Sequence, residues 1–402
     1  MAKLINIGVD GFKTDDGEYI PYNAVFSNGL TGKDMHNLYP LLYNKATYEI
    51  LKKINGEAIL FARSGWAGSQ KYPAVWAGDQ ESSFNYRDGL PAVIIAGLSA
   101  ALSGFTFWSH DIGGYRTPPD KEVFIRWAQF GCFTPIMQIH GQNREPWKFD
   151  GETVEIYRKY AKLHTSLFPY IYTYAKQASM GDLPIMRPLI LEFPNDEKVY
   201  NCDYEYLFGD YFLVAPMYQS GIQRQVYLPE GLWYDYWDNK EYKGPTYIVY
   251  NAQLDKIPLF VKAGAIIPTL NESTDSLVKR SYDIDPSVVT LSDVFNELFL
   301  TIYPKKNEVF QMYDGTKFSV NKMENMIKFV ISNVNSQMKY HIKIYSKAKP
   351  RKITFNNKPL RYSIVKNANF LSDKNVYFYD FDKNFVELSS IVNKDTILTL
   401  EY

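Results

Sequence analysis

Residues 8–18 read GVDGFKTDDGE, a short apolar stretch that stops at Lys13, Asp15, Asp16 and Glu18, four ionisable side chains within six residues. The same pattern recurs four more times. Ala58 to Arg63 (AILFAR) ends at Arg63-Ser64, Pro73 to Gly78 (PAVWAG) ends at Asp79, Gly104 to His110 (GFTFWSH) runs into Asp111, and Phe133 to His140 (FTPIMQIH) ends at His140-Gly141. Helix-like periodicity fills the gaps at Asp34 to Ile54, Tyr86 to Leu102 and Asp120 to Gly131. This β–α–β–α rhythm predicts a parallel sheet with helical crossovers. Polar residues gathered at successive strand ends are the pattern of a (β/α)8 barrel, whose chemistry sits at the C-terminal face.

Working outward, Glu152 to Ser179 reads as one long amphipathic helix. After Pro184 the pattern turns to short strands at Met186 to Phe193, Tyr211 to Pro216, Arg224 to Leu228 and Leu232 to Trp237, closed by Lys256 to Pro268. From Asn271 the composition shifts toward Lys, Asn, Ser and Thr. Strands are predicted at Leu298 to Tyr303, Val309 to Tyr313, Ile327 to Val334, Lys339 to Tyr345, Lys352 to Phe355 and Thr396 to Tyr402. The expected fold class is therefore α/β plus β: part of a (β/α)8 TIM barrel over residues 1–184, a proximal β-sandwich over 185–270 and a distal one over 271–402.

The 402 residues are enough for two or three domains, and 46% are hydrophobic. Forty-four basic residues balance 44 acidic ones, which gives neither nucleic acid nor an anionic membrane a basic patch to bind. No apolar run is long enough to span a bilayer. Two cysteines, Cys132 and Cys202, give no disulfide framework and no metal-ligand spacing, and both are expected as buried thiols. Aromatic residues reach 16%, with 33 Tyr, 25 Phe and 7 Trp, which fits either a large core or faces that stack on sugar rings. No leader is visible at Met1; a cytoplasmic location is favoured, with the natural N-terminus read as lying elsewhere.

The strand ends would bring carboxylates, an arginine, histidines and aromatic rings into one pocket. Glycoside hydrolysis needs such a set: one carboxylate near the anomeric carbon and another to protonate the leaving oxygen. These segments resemble glycoside hydrolase family 31, which includes α-glucosidases, α-xylosidases and related transglycosylases. The matching stretches are GVDGFKTDDGE from Gly8, LFARSGWAGSQKYPAVWAGD from Leu60, LSGFTFWSHDIGGY from Leu102 and MQIHG from Met137. They continue with IMRPLILEFP from Ile185, FGDYFLVAPM from Phe208, VYLPEGLWYDYW from Val226 and IPLFVKAGAIIP from Ile257.

The resemblance implies a retaining α-glycoside hydrolase of the α-glucosidase or α-xylosidase type, acting on an α-linked oligosaccharide or glycoside. It implies Asp15 as nucleophile and Asp79 as general acid/base, with Lys13, Arg63, Trp76, Trp108, Asp111, Tyr115 and His140 around the first sugar. His110 is expected to be a structural hydrogen-bonding residue, and Arg187 to brace the barrel against the next domain. His36, His164 and His341 stand outside any motif, and Trp147 is expected to pack. One position departs from the family: α-xylosidase-like members often carry an aromatic residue after the nucleophile, where this chain has Asp16. No metal or cofactor is implied.

A closed barrel needs about eight strands, and five precede the helix at Glu152. The nucleophile's strand is normally the fourth, so three strands and an N-terminal β-sandwich are expected to lie outside this chain. A missing N-terminal half or a second copy of the chain is the expected protein partner. Two further readings use the same residues: an α-transglycosylase, and an inactive fragment or carbohydrate-binding remnant.

Overall fold

The computed structural model describes residues 1–364 and 376–402. The N-terminal strands form a four-stranded sheet in sequential order, all parallel: β1 (Gly11–Thr14), β2 (Ile59–Ala62), β3 (Val75–Trp76) and β4 (Trp108–Ser109). The fifth expected strand is reduced to one parallel bridge between Asp111 and Gln138. Pro135 within Phe133 to His140 lacks the N–H that a central strand must donate. β1 is an edge strand, and apolar side chains near it are exposed, among them Ile7 at 79% and Ile59 at 70%.

The crossover helices start where local chemistry lets them. Leu90–Leu102 begins with Pro at its first turn, where a missing N–H costs nothing. Lys121–Cys132 is capped by Asp120, whose carboxylate accepts from Val123 N at 2.8 Å. The single helix expected over Glu152 to Ser179 is two, Gly151–Ser166 and Phe168–Ser179, joined at Leu167. Pro169 cannot donate and its ring disfavours helical backbone before it, so the chain breaks there and restarts. The layer between sheet and helices is well packed: Leu60, Val93, Ile94, Trp127 and Phe130 are all fully or almost fully buried.

The proximal unit differs from a two-sheet sandwich. It is one six-stranded sheet ordered Met186–Pro188, Tyr206–Phe208, Phe212–Val214, Leu259–Lys262, Gln223–Asp235, Glu241–Asn251. Its last two strands form a long hairpin with a bulge between Leu228 and Gly231. Alternate residues serve two cores: Tyr206, Phe208, Phe212 and Val214 join the one that contains Phe133 and Tyr170, while Leu207, Leu213 and Phe260 join Val226, Leu228 and Trp233. Among the described residues the distal unit has two six-stranded sheets. Its predicted strands fall within one or two residues of those observed, but Lys317–Lys322, Lys358–Pro359, Arg361–Ser363, Val376–Asp380 and Phe385–Val392 are additions. Ile266–Thr269, expected to close the proximal unit, pairs instead with Glu297–Ile302 of the distal one.

Arg187 meets the barrel helices as expected, over the Tyr174 ring at 5.3 Å. The heavier brace is Arg126, 1% exposed. Its guanidinium donates to Gln253 O, Lys256 O, Gly221 O and Ala252 O at 2.8–3.1 Å, tying helix Lys121–Cys132 to the proximal sheet. Arg126→Ala would leave these carbonyls underpaired in the interface, at a cost of roughly 2–4 kcal/mol. Chemical denaturation should register that loss; a change under about 0.5 kcal/mol would show that the brace is dispensable.

Candidate active site

Period-two alternation decides which side chains meet at the strand ends. Lys13 on β1 and Phe61 on β2 are register partners, so Asp15 and Arg63, two residues on, share their side of the sheet. Trp76 on β3 lies on this side too, 5.3 Å from the Phe61 ring, with the Lys13 ammonium 4.1 Å above the Trp76 ring. The intervening residues Leu60 and Trp108 turn toward the helices. Trp108 is packed under Gly97 of helix Leu90–Leu102, where an added Cβ would lie 2.8 Å from the indole. The placement of Trp108 among the sugar contacts is therefore corrected: it is a core residue, one step out of phase with the site.

Arg63 is the centre of the arrangement. Its Nη1 lies 2.9 Å from Asp15 Oδ1 and 3.7 Å from Asp79 Oδ2; its Nε donates to Glu18 Oε1 at 2.8 Å, and its Nη2 pairs with Asp16. Burial opposes the charge on Arg63, but the hydrogen bond it donates to Glu18 and the charges of Glu18, Asp15 and Asp16 outweigh it and hold the guanidinium above its ordinary pKa. Because one nitrogen touches both Asp15 and Asp79, their nearest oxygens are no farther apart than those two contacts laid end to end. The turn that presents them is tight. Asp16 has φ 60° and Gly17 φ 89°, and a Cβ on Gly17 would come within 2.6 Å of Ser64 Oγ. Tyr43 OH fixes the turn by donating to Asp15 O at 2.9 Å.

On the far side of the pair, Tyr115 and His140 stack at 5.1 Å with only 7° between their planes. Burial, then the Lys13 charge, pushes the His140 pKa down, against the opposing pull of Asp79 and Asp15. Asp111 is wholly buried; Gln138 donates to its Oδ1 at 2.9 Å, and its Oδ2 has no protein partner. Burial pushes the Asp111 carboxyl up to about 6, with Lys13 and Arg144 pulling down and Asp79 and Asp15 pushing up. His110 lies behind this layer: it accepts from Trp127 Nε1 at 2.9 Å, stacks on Phe130, and burial lowers it to about 3. That is the structural role expected of it.

Three residues outside the predicted set belong here. Arg144, 2% exposed, donates to Gly114 O, Gln142 O, Thr117 O and Ser82 Oγ and so ties together the loops after β3, after β4 and around His140. Glu18 orients Arg63. His36 lines a cleft beside Arg63 and Asp79. Trp147, expected to pack, is 72% exposed, while His164 is satisfied by Cys132 O at 2.9 Å and His341 by Ser389 and Glu297. Among the described residues no cluster of three His, Cys, Asp or Glu side chains could hold a metal, and no helix is long and apolar enough to cross a membrane.

Buried polar atoms without a protein partner concentrate at this end of the sheet: Thr14 Oγ1, Glu18 Oε2, Ser64 Oγ, Trp76 Nε1, Gln80 Oε1 and Asp111 Oδ2. Folding leaves few such groups, and each calls for a specific explanation. Acceptors and donors crowded around two carboxylates suit a ligand rich in hydroxyls.

The raised pKa of Asp111 gives a test of site electrostatics. From its ordinary 3.8 to about 6, the folded protein holds a proton that the unfolded chain has lost, so ionisation here reduces stability as pH rises through that window, by up to about 3 kcal/mol. Asp111→Asn keeps the acceptor for Gln138 and cannot ionise. Its stability relative to the parent should rise from pH 4 to pH 7 in thermal melts; a difference constant with pH would refute the buried-carboxyl reading.

Comparison with known proteins bears on this geometry. The model for the glycosyl hydrolases family 31 TIM-barrel domain matches residues 1–174, and that for the family 31 C-terminal domain matches residues 182–267. The chain is 34% identical over 325 residues to an isomaltosyltransferase of Sporosarcina globispora, covering 77% of this chain and 29% of that protein. It is 34% identical over 329 residues to an α-xylosidase of Saccharolobus solfataricus, covering 77% of this chain and 43% of that one. Among solved structures, the cycloalternan-forming enzyme of Listeria monocytogenes in complex with a pentasaccharide substrate superposes with a TM-score of 0.86 at 30% identity, over 99% of this chain and 39% of that one. The chain thus spans less than half the length of each of these three proteins.

Proposed function

The chain belongs to glycoside hydrolase family 31, and from that premise we propose that it carries the catalytic carboxylates of a retaining α-glycosidase, with Asp15 as nucleophile and Asp79 as general acid/base. The observation that carries the reading is the bridging of both carboxylates by one Arg63 nitrogen, at 2.9 and 3.7 Å. Retaining glycosidases keep their two carboxyl groups about 5–5.5 Å apart, close enough for one to attack the anomeric carbon while the other protonates the leaving oxygen. In the first step Asp15 forms a β-linked ester with the sugar as the bond to the leaving oxygen breaks, and Asp79 gives that oxygen its proton. In the second, Asp79 takes a proton from water, which displaces Asp15 and restores the α configuration. Lys13, Trp76, Asp111, Tyr115 and His140 surround the sugar that is transferred, a terminal residue of an α-linked glycoside.

The four parallel strands are proposed as the later part of a (β/α)8 barrel over residues 1–184, followed by β-rich units over 185–270 and 271–402. The edge position of β1 and the exposed Ile7 and Ile59 support a sheet continued by strands beyond those present. In that arrangement the barrel's remaining strands, on the same or a separate polypeptide, complete the sugar pocket. A transglycosylase is the second reading. It is favoured by the likeness to the isomaltosyltransferase and the cycloalternan-forming enzyme, and it replaces water with a sugar hydroxyl in the second step.

Aryl α-glucosides and α-xylosides, assayed with and without the N-terminal half of a family relative, test the assignment. Proton NMR should detect the α anomer as the first product. Asp15→Ala should abolish turnover, a loss on the order of 10⁵-fold, and Asp79→Ala should spare mainly substrates with good leaving groups. First release of the β anomer would exclude the mechanism.

A further inference from the structure

Asp79 owes its position mainly to the backbone that carries it. Among the described residues no donor hydrogen-bonds to its carboxylate, and the nearest charge, Arg63 Nη1, stands off at 3.7 Å. A group that hands over a proton works only at the right distance and direction, so whatever fixes the chain around Asp79 governs the step. Before Asp79 that chain is anchored in the sheet, where Ala77 N donates to Ser109 O at 3.0 Å. After Asp79 it leaves the sheet and rests on the loop that follows β4. Gln80 O accepts from Tyr115 N at 2.8 Å and from Arg116 N at 3.1 Å.

That loop is in turn held from behind by buried Arg144. Its Nε donates to Gly114 O, and its Nη2 to Thr117 O at 2.6 Å and Ser82 Oγ at 3.0 Å. Gly114 and Thr117 flank Tyr115 and Arg116, while Ser82 lies two residues past Gln80. One guanidinium therefore grips both partners of the contact that supports Asp79, and the Ser82 hydroxyl closes the ring by donating to Thr117 O. The approach is close enough to demand glycine. A Cβ on Gly114, at φ 76°, would lie 2.8 Å from Ser82, and one on Gly141, at φ 102°, would lie 2.7 Å from Arg144 Nη1. Among the described residues Arg144 makes no ion pair, and burial lowers its pKa. A buried cation without a carboxylate is a costly brace; what it supplies is a rigid fork of donors that reaches several loops at once.

We propose that Arg144 is a positioning residue for proton transfer: through Ser82 and the loop 113–117 it holds the chain that carries Asp79, and with it the aim of the acid. The proposal rests on Asp79 being the general acid/base. Whatever Arg144 does to shape the pocket around the transferred sugar is shared by every substrate with that sugar. Its action through Asp79 is not shared, because it falls only on steps in which a proton moves to or from that carboxyl group.

The test compares leaving groups on one sugar. Phenyl α-glucoside needs a proton on its departing oxygen, whereas the fluoride of α-glucosyl fluoride leaves with little help. Two changes loosen the clamp. Arg144→Lys keeps the charge and loses the fork; Ser82→Ala removes a single hydroxyl and carries the test should the lysine variant not fold. With the N-terminal half of a relative supplied, each should lower kcat/KM for the phenyl glucoside about ten-fold more than for the fluoride, the scale of one charge-assisted hydrogen bond. In an Asp79→Ala background the same changes should leave the ratio between the two substrates untouched, because the group that they position is gone. Equal losses on both substrates, or a selective loss that persists without Asp79, would overturn the positioning role and leave the carboxylate roles standing. If Asp79→Ala itself lowers both substrates alike, or the parent does not turn over the fluoride, the carboxylate roles fall and this proposal with them.

Discussion

The site depends on one guanidinium among four carboxylates. Asp15, Asp16, Glu18 and Asp79 all approach Arg63, and without it they would repel one another at the end of an otherwise apolar sheet. Arg63 is itself well enclosed, with a side chain only 14% exposed, while the Asp15 and Asp16 carboxylates that it meets face solvent. The interaction fixes more than charge. By touching Asp15 and Asp79 with the same nitrogen, Arg63 sets their spacing, and spacing is what separates a direct attack on the anomeric carbon from attack through water.

Asp16 gives this arrangement a particular character. It takes a left-handed backbone conformation and turns its carboxylate onto Arg63, at a position where α-xylosidase-like members of the family often carry an aromatic wall. On the proposed roles, a carboxylate occupied with Arg63 would leave more room near the transferred sugar than a ring. The rigid surroundings come from elsewhere: Arg144 holds three loops through three backbone carbonyls and the Ser82 hydroxyl, and Arg126 locks a barrel helix onto the proximal sheet.

Much of this was legible in the sequence, for physical reasons that can be named. Apolar runs ending in charged residues located the strands and put Asp15, Arg63, Asp79 and His140 at one end of the sheet. The family resemblance places Trp108 in the site because motif adjacency ignores the side-to-side alternation of a strand; its neighbour Ser109, in register with Trp76, is the residue that faces the site layer. The helix break at Leu167 was written in Pro169 but masked by continuous amphipathic spacing. The order of the proximal sheet was not readable, because Leu259–Lys262 inserts between Phe212–Val214 and Gln223–Asp235, a pairing set by distant segments. Arg126 and Arg144 escaped notice because their partners are mostly carbonyls, which every residue has.

The central claim is that Asp15 bonds to the sugar during turnover. A 5-fluoro α-glucosyl or α-xylosyl fluoride measures this directly, since its fluoride leaves readily while the ring fluorine slows release of the ester. Peptide mass mapping of the quenched protein, with the N-terminal half of a relative supplied, should find one glycosyl group on the peptide that contains Asp15, and none in Asp15→Ala. A label on Asp16, Glu18 or Asp79, or turnover of the reagent to a β product without any covalent species, would contradict the account.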